Sequence, residues 1–251
     1  MIVFAHLSDT HLDGGPHAAE RTRAVLAHLN ALPYDLDAVL VTGDIVDNGL
    51  PAEYDEARAL LASRHPVLIL PGNHDVRGPF RAGLFDEPAG DKPINRVHRT
   101  AGGAVFALCD SSIPGRADGL LADETLSWLT DVLDETPSTT PVFVAFHHPP
   151  VELGSPEIDR IRQFGAERLA EVIAHRPNVA GLLCGHAHTP AATTFAGKPL
   201  IVAPGVVSTI NLPWERGGDD APFVDPKLPP ALAFHRLDDE GRLTTHFRAL
   251  A

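Results

Sequence analysis

The 251-residue chain reads as an α/β protein whose final quarter turns to antiparallel strands. Three observations carry this. From residue 2 to residue 184, short apolar runs rich in β-branched residues alternate with stretches of helical periodicity, the pattern of stacked βα units. Beyond residue 190 the helical stretches cease and short strand-like runs follow one another. No composition break, internal repeat or low-complexity tract divides the chain, so 1–251 is read as a single domain. Its 44% hydrophobic and 21% charged residues are ordinary for a globular protein. A chain of this length buries about three quarters of its unfolded surface, and needs neither disulfides nor a structural metal to fold.

The first strand is expected at Ile2–Leu7, then a helix over 18–32 with Val25, Leu26 and Leu29 on one face. A second strand spans 38–41. Pro51 opens a helix reaching residue 63, since a proline in the first turn forfeits no hydrogen bond. Val67–Leu70 is a strand, and 77–100, with scattered Gly and Pro, reads as loop and short helix. After a strand at 104–109, Asp123 is the expected N-cap of a helix to 134 carrying Leu126, Trp128, Leu129 and Val132. A strand at 142–146, a helix near 166–175 and a strand at Val179–Cys184 follow. The runs 193–196, 199–203, Ala231–Leu237 and 243–247 read as antiparallel strands, the last two joined through Asp239-Glu240-Gly241. The Pro/Gly/Asp-rich stretch 211–230 reads as a long surface loop.

Twenty Lys and Arg against 33 Asp and Glu give a net charge of −13 at pH 7. Nucleic-acid polymers and anionic membranes both demand basic surface, so neither is expected as a partner. A small anionic substrate is not excluded, because a local site can oppose the sign of the whole. The opening residues lack the basic, apolar and small-residue pattern of a signal peptide, and no run approaches the roughly 18 apolar residues of a membrane span. The expected location is therefore the cytoplasm. Cys109 and Cys184 each lie in an apolar run and read as reduced core thiols. Fourteen His against two Cys point to imidazole and carboxylate chemistry, away from thiolate chemistry.

Five apolar runs end in the same kinds of residue. The first ends in Ser8-Asp9-Thr10-His11, the second in Thr42-Gly43-Asp44 with Asp47 following, and the third in Gly72-Asn73-His74-Asp75. The run at 142–146 ends in His147-His148-Pro149, and Val179–Cys184 ends in Gly185-His186-Ala187-His188. Ligands of open α/β sheets bind beyond the carboxyl ends of the strands. Five such ends delivering Asp, Asn and His to one edge build a polyvalent site. Each piece alone is a common turn, cap or surface pair; their conjunction in this order is not. The glycines before Asp44, Asn73 and His186 suit turns in which backbone approaches the site closely. His6, alone on its strand, reads as a hydrogen-bonded core residue, and Asp47 as a cap or salt link.

Two carboxylates, one amide oxygen and four imidazoles suit Mn, Fe, Zn, Co or Ni, and are too rich in nitrogen for Ca or Mg. Seven ligands are too many for one four-coordinate ion. They fit two ions sharing a carboxylate, a pair that sits about 3.5–4 Å apart and assists displacement at phosphorus.

Together these motifs resemble the calcineurin-like metallophosphoesterase superfamily, whose pattern runs D-x-H, G-D, G-N-H-[DE], H-x-P, G-H-x-H, matched here from Asp9 to His188. The finer spelling is similar to the class III cyclic-nucleotide phosphodiesterases and related bacterial enzymes. That likeness rests on Asn73-His74-Asp75-Val76-Arg77 with Arg81 following, and on Asp110-Ser111 leading through Pro114-Gly115 and Gly119 to Trp128-Leu129. Gly197-Lys198-Pro199 and Ala203-Pro204-Gly205 add to it. The resemblance implies a four-layer α/β/β/α sandwich with mixed sheets. It implies that Asp9, His11 and His188 hold one metal, that Asn73, His147 and His186 hold the other, and that Asp44 bridges them. His148 then lies behind the ligands. His74 matches a non-ligand His near the phosphate that stabilises charge or protonates the leaving group, and Asp75 orients its imidazole. The implied reaction is hydrolysis of a small phosphodiester, such as a 3′,5′-cyclic nucleotide, by a metal-bridging hydroxide attacking in line.

Loops are expected to set the substrate: Arg77, Arg81, the 84–100 segment, and the 211–230 loop with Trp214, whose ring packs the loop or stacks on a base. The same dinuclear chemistry also serves phosphomonoesterases and nucleotide pyrophosphatases. A non-catalytic scaffold is disfavoured because all seven ligands are present. A homodimer through the loop-rich C-terminal strands completes the expectations.

Overall fold

The layering follows from side-chain alternation. In the computed structural model, which describes residues 1–217 and 222–250, strand β1 (Ile2–Leu7) sends Ile2 and Phe4 to one face and Ala5 and Leu7 to the other, and both faces are buried. A strand that is apolar on both faces must be covered on both. After it come α1 (Pro16–Asn30), β2 (Ala38–Thr42), α2 (Pro51–Leu60), β3 (Val67–Leu70) and α3 (Arg77–Phe85). Then follow β4 (Arg96–Arg99), β5 (Val105–Leu108), β6 (Gly119–Leu120), α4 (Asp123–Glu135), β7 (Val142–Ala145), α5 (Pro156–Asp159), β8 (Gln163–Phe164), α6 (Ala166–Ile173) and β9 (Val179–Cys184). The remaining strands are β10 (Ala191–Phe195), β11 (Lys198–Val202), β12 (Thr209–Ile210), β13 (Val224–Asp225), β14 (Ala231–Leu237) and β15 (Leu243–Ala249).

Two mixed sheets form, in the orders β15-β14-β1-β2-β3 and β10-β11-β9-β7-β5-β4. Three buried clusters separate four layers, as the family resemblance implies. Between the sheets, Phe4, Leu40 and Leu70 meet Phe106, Phe143 and Leu183, with the Phe4 ring edge-on to Phe106 at 5.0 Å and to Phe143 at 4.8 Å. Outside the first sheet, Val25, Leu26 and Leu29 of α1, Tyr54 of α2 and Phe80 of α3 cover Ala5, Leu7, Val39 and Val41. Outside the second, α4 and α6 place Leu129, Val132, Leu169 and Ile173 over Val105, Val142, Val144 and Leu182. Each such side chain, fully buried, contributes about 1.5–3 kcal/mol relative to exposure.

Four details differ from the sequence reading. Asp123 does not cap α4: it is the first helical residue, Ala122 holds the cap position, and the Asp123 carboxylate pairs with Arg168. The 77–100 stretch contains a strand, β4, at the edge of the second sheet; its Arg-Val-His-Arg sequence is half exposed and so shows no apolar run. β11 is parallel to β9, leaving β4, β10, β14 and β15 as the antiparallel members of the two sheets. A short ladder between β12 and β13 ties down the 211–230 loop. Cys109 and Cys184 are free and buried, and burial pushes both thiols up.

Candidate metal centre

The carboxyl ends of β1, β2 and β3 from one sheet and of β7 and β9 from the other meet at one end of the seam. The turns there are unusually tight. Gly43 has φ +92°, and a Cβ on it would lie 2.4 Å from Nδ1 of His147. A Cβ on Gly72 would fall 2.2 Å from Oδ1 of Asp44. The described residues include seven non-glycine positions of positive φ, and five of them are Asp9 (56°), His11 (42°), Asp44 (49°), His186 (68°) and His188 (53°). An L-residue in that region costs about 1 kcal/mol or more, and such strain persists where surrounding structure over-determines it, which is typical of functional sites.

The polar atoms converge in overlapping sets. Asp9, His11 and His188 each present one atom within 4.8 Å of the others; so do Asp9, Asp44 and His147, and likewise His11, Asp44 and His74. A further set joins His147, His148 and His186. Asp44 Oδ2 lies 3.2 Å from His147 Nε2 and 3.5 Å from His11 Nε2, so one oxygen reaches both halves of the cluster. Asn73 shares the Gly72 turn, and its Oδ1 is buried without a hydrogen-bond partner.

Backbone and side-chain acceptors fix the imidazole tautomers. Nδ1 of His147 donates to the Thr42 carbonyl at 2.6 Å, and Nδ1 of His11 donates to Asp47 Oδ1 at 2.9 Å. Both rings therefore offer the Nε2 lone pair inward, the usual way a supporting acceptor prepares a metal-binding His. Nδ1 of His188 lies 2.9 Å from Ser208 Oγ. Backbone N–H groups hold the carboxylates: His186 N donates to Asp9 Oδ2 at 3.1 Å, and His74 N to Asp44 Oδ1 at 2.9 Å.

Burial and neighbouring charge split the titrations. Burial opposes a charged His147, but Asp44 and Asp9 outweigh it and push the ring up to about 9. Burial likewise opposes the Asp44 carboxylate, yet His147, His11 and His74 hold it well below the usual range. His11 is raised against burial by Asp47, Asp44 and Asp9. Burial, reinforced by His147, pushes His186 down to about 3. His188 is lowered by burial despite Asp9. The cluster thus sets an ionised Asp44 beside two imidazoles held neutral, His186 and His188, and two held charged, His147 and His11, whose protons a bound cation would displace.

The fit to metal ions is tested by what the protein leaves unsatisfied. Asp9 Oδ1, Asn73 Oδ1 and the Nε2 atoms of His11, His147, His148 and His186 are all buried without a hydrogen-bond partner. Such orphaned groups cost about 1–3 kcal/mol each, and here they face one another. Two overlapping sets hinged on Asp44 suit two ions. The profile of the calcineurin-like phosphoesterases matches residues 2–190. The chain belongs to that family.

Family members similar to it over most of their length include glycerophosphodiester phosphodiesterase GpdQ of Enterobacter lignolyticus, 33% identical over 94% of this chain and 87% of the relative. A probable cyclic nucleotide phosphodiesterase of Rhodococcus erythropolis is 36% identical over 85% and 73%. The 3′,5′-cyclic adenosine monophosphate phosphodiesterase CpdA of Escherichia coli K12 is 31% identical over 98% and 88%. A dimetal phosphatase from Danio rerio shares the fold, with a TM-score of 0.75 at 17% identity over 99% of this chain and 96% of the other. The family uses a dinuclear metal centre, and the Asp and His sets described above are its candidate ligands in this phosphoesterase.

Around the ligands, the phosphoesterase departs from its sequence reading in instructive ways. His74 is not oriented by Asp75. Its Nδ1 donates to the Asp47 carbonyl at 2.9 Å, with Asp47 Oδ1 at 3.4 Å. Asp75 turns beneath the site, where Gly72 N, Ile45 N, Val46 N and the Tyr54 hydroxyl all donate to it. Burial and the Asp44 charge push its carboxyl up to about 7. Asp47 thus has the larger part: it supports both His11 and His74. Its spacing from Asp44 was the available signal. His148 is buried against His186, ring centroids 4.6 Å apart, with Ser111 Oγ 2.9 Å from its Nδ1. Arg77 is committed to Asp110 and to the Asp91 and Ser112 carbonyls, and Arg81 to Glu87 and the Lys92 and Pro93 carbonyls. Both arginines bolt loops to α3. Trp214 is 71% exposed and lies over Gly154.

Proposed function

We propose that residues 1–251 form a single-domain, metal-dependent phosphodiesterase that hydrolyses small diesters in the cytoplasm, 3′,5′-cyclic nucleotides foremost. The observation that carries this is the pair of donor sets overlapping at Asp44, with unpartnered Asp, Asn and His atoms gathered around them. Phosphodiesterase names run through the relatives at 31–36% identity, glycerophosphodiesters and cyclic nucleotides both being small diesters. No helix among the described residues is long and apolar enough to cross a membrane.

Asp9, His11 and His188 would hold one ion, Asn73, His147 and His186 the other, with Asp44 between. Ions of the Mn, Fe, Zn, Co or Ni kind would supply an acidified water and Lewis-acid charge at phosphorus. The protein's own residues do the rest. His74, its Nδ1 proton held by the Asp47 carbonyl, turns Nε2 to the leaving oxygen and, in its doubly protonated imidazolium form, is the proton donor, leaving neutral imidazole behind. The cavity over it, about 330 Å³, is lined by Asp47, Asn48, Asn73, Gly115, Arg116 and Ala117. Arg116 is the guanidinium in that wall, and Asp118 fixes it at the mouth by accepting from its Nε at 2.8 Å and from a terminal nitrogen at 2.6 Å. A homodimer through the C-terminal strands belongs to the same reading.

A metal-reconstituted screen tests it, comparing bis-p-nitrophenyl phosphate, p-nitrophenyl phosphate, 3′,5′- and 2′,3′-cyclic nucleotides and a nucleotide pyrophosphate. Diester turnover above monoester and pyrophosphate turnover is expected. Monoester preference would overturn the phosphodiesterase reading; diester turnover that spares every cyclic nucleotide would overturn that finer choice.

A further inference from the structure

A second recess opens beside Asn73, about 320 Å³ in volume, with Val76, Gly78, Ile113, Pro114 and Gly115 in its wall. We propose that it is the subsite for the ester substituent that stays on phosphorus, and that it selects an uncharged, ring-bearing group such as a nucleoside or an aryl. This rests on the phosphodiesterase reading above.

Position comes first. The recess shares Asn73 and Gly115 with the cavity over His74, but His74 is not in its own wall. A diester with phosphorus near Asn73 therefore has two exits. The leaving oxygen faces the proton donor, and the retained substituent enters the recess.

Chemistry comes second. Val76 is an aliphatic side chain left 48% exposed at the start of α3, and Ile113 and Pro114 face the same space. Apart from Asn73, which faces the metal site, and the Asp91 carboxylate, the polar side chains of the wall are already engaged. Arg77 donates through Nε to Asp110 at 2.9 Å and through its other nitrogens to the Asp91 and Ser112 carbonyls at 2.8 Å each. The Ser112 hydroxyl donates to Asp110 at 2.6 Å. No cation remains to hold a second phosphate, and the Asp91 carboxylate repels one. The volume stands at the low end of the roughly 300–1,000 Å³ of organic-ligand pockets, room for a ring system and not for a polymer.

Rigidity comes third. Buried Asp110 also accepts from Ile94 N at 2.9 Å and Ser112 N at 2.8 Å, so one carboxylate clamps both loops and α3. A preformed wall spares the ordering cost of binding.

The test uses the metal-loaded full chain and four p-nitrophenyl diesters with the same leaving group. Their retained groups are methyl, phenyl, thymidin-5′-yl and 3′-phosphorylated thymidin-5′-yl. kcat/KM should rise about tenfold or more from methyl to phenyl and thymidinyl, through KM, as expected for taking a ring's apolar surface out of water. The added phosphate should cancel that gain. Ile113→Trp fills the recess and Val76→Asn makes its wall polar; each should draw the phenyl-to-methyl ratio towards one. Metal content and thermal midpoint establish that each variant is folded. If Ile113→Trp does not fold, the half-exposed Val76 position decides. A flat series in the parent protein, or an unchanged ratio in the folded variants, overturns the subsite alone. Absence of any diester turnover overturns the subsite and the phosphodiesterase reading together.

Discussion

Mild acid should loosen the seam beneath the metal centre, and the size of the effect can be worked out. His235 is fully buried, stacked on Phe4 at 4.7 Å, with Nε2 3.2 Å from His6 Nδ1 and Nδ1 2.9 Å from Thr245 Oγ1. His6 in turn lies 3.0 Å from the hydroxyl of Thr42, whose carbonyl orients His147. Burial pushes His235 down to about 3, against 6.5 unfolded. The folded state therefore refuses a proton that the unfolded chain accepts. The associated stability is complete above pH 6.5 and is lost as pH falls towards 3. At about 1.36 kcal/mol per pH unit, the loss from the plateau above pH 6.5 down to pH 4.5 is about 2.7 kcal/mol, a large part of the roughly 5–15 kcal/mol that holds a domain together. His6, lowered by burial and by His235, adds to it. His147 does not: its raised pKa gives stability that is full below 6.5 and lost as pH rises through about 9.

The assay is urea unfolding in chelator at pH 6.5, 5.5 and 4.5, for the parent and for His235→Gln. Glutamine can bond to His6 and Thr245 but cannot titrate. Its structural cost shifts the curve vertically, whereas the lost proton changes the slope. The variant's unfolding free energy should fall less steeply, by about 1.4 kcal/mol per pH unit. Parallel curves would mean that the fold accommodates a charged His235, and the neutral-seam argument would fail.

Three further expectations concern the site. Asp44→Ala and Asn73→Ala should each strip bound metal and activity together, read by elemental analysis beside turnover; full metal content and rate in either would refute the ligand assignment. His74→Ala should keep its metal and lower kcat by about 10²–10⁴-fold, more for an alkoxide than for p-nitrophenolate; unchanged turnover of the poor leaving group would remove its role as proton donor. Asp75→Ala strands four donors and should cost about 4 kcal/mol or more in urea unfolding; near-parental stability with a depressed kcat would restore a direct role on His74.

The central strands were legible because burial on both faces writes a continuous apolar run, as in Ala38–Thr42 and Val142–Ala145. β4 was not, because an edge strand half in water carries no such run. The direction of β11 was hidden too. Local pattern reveals the β10–β11 hairpin but not which of its strands lies inside, and β11 does, against β9. At the site, the seven candidate ligands stood out because strand ends and glycine turns force them to one edge. Their supports did not, because adjacency in sequence misleads there. Asp75 follows His74 yet turns away beneath Gly72, while Asp47, far from both in the chain, reaches His11 and His74. Arg77 looked free for substrate until two distant loops placed acceptors around it.

Strain and unmet bonding coincide at this centre, and that coincidence argues for its occupant. Five left-handed non-glycine residues and six orphaned donor atoms gather where the two sheets meet. At about 1–2 kcal/mol for each strained residue and about 1–3 kcal/mol for each orphan, the total rivals the whole stability of a domain. A fold keeps such an arrangement when something bound there offsets it. Carboxylate, amide and imidazole lone pairs pointing inward share one kind of partner, a cation. Two dications against Asp9 and Asp44 would leave the inner site at roughly +2, inside a chain of net charge −13. A field of that shape admits a small monoanionic diester to the centre and repels a polyanion at the surface. On the proposed function, the acidity of the chain would then act as a filter on substrate charge and is no obstacle to phosphate chemistry.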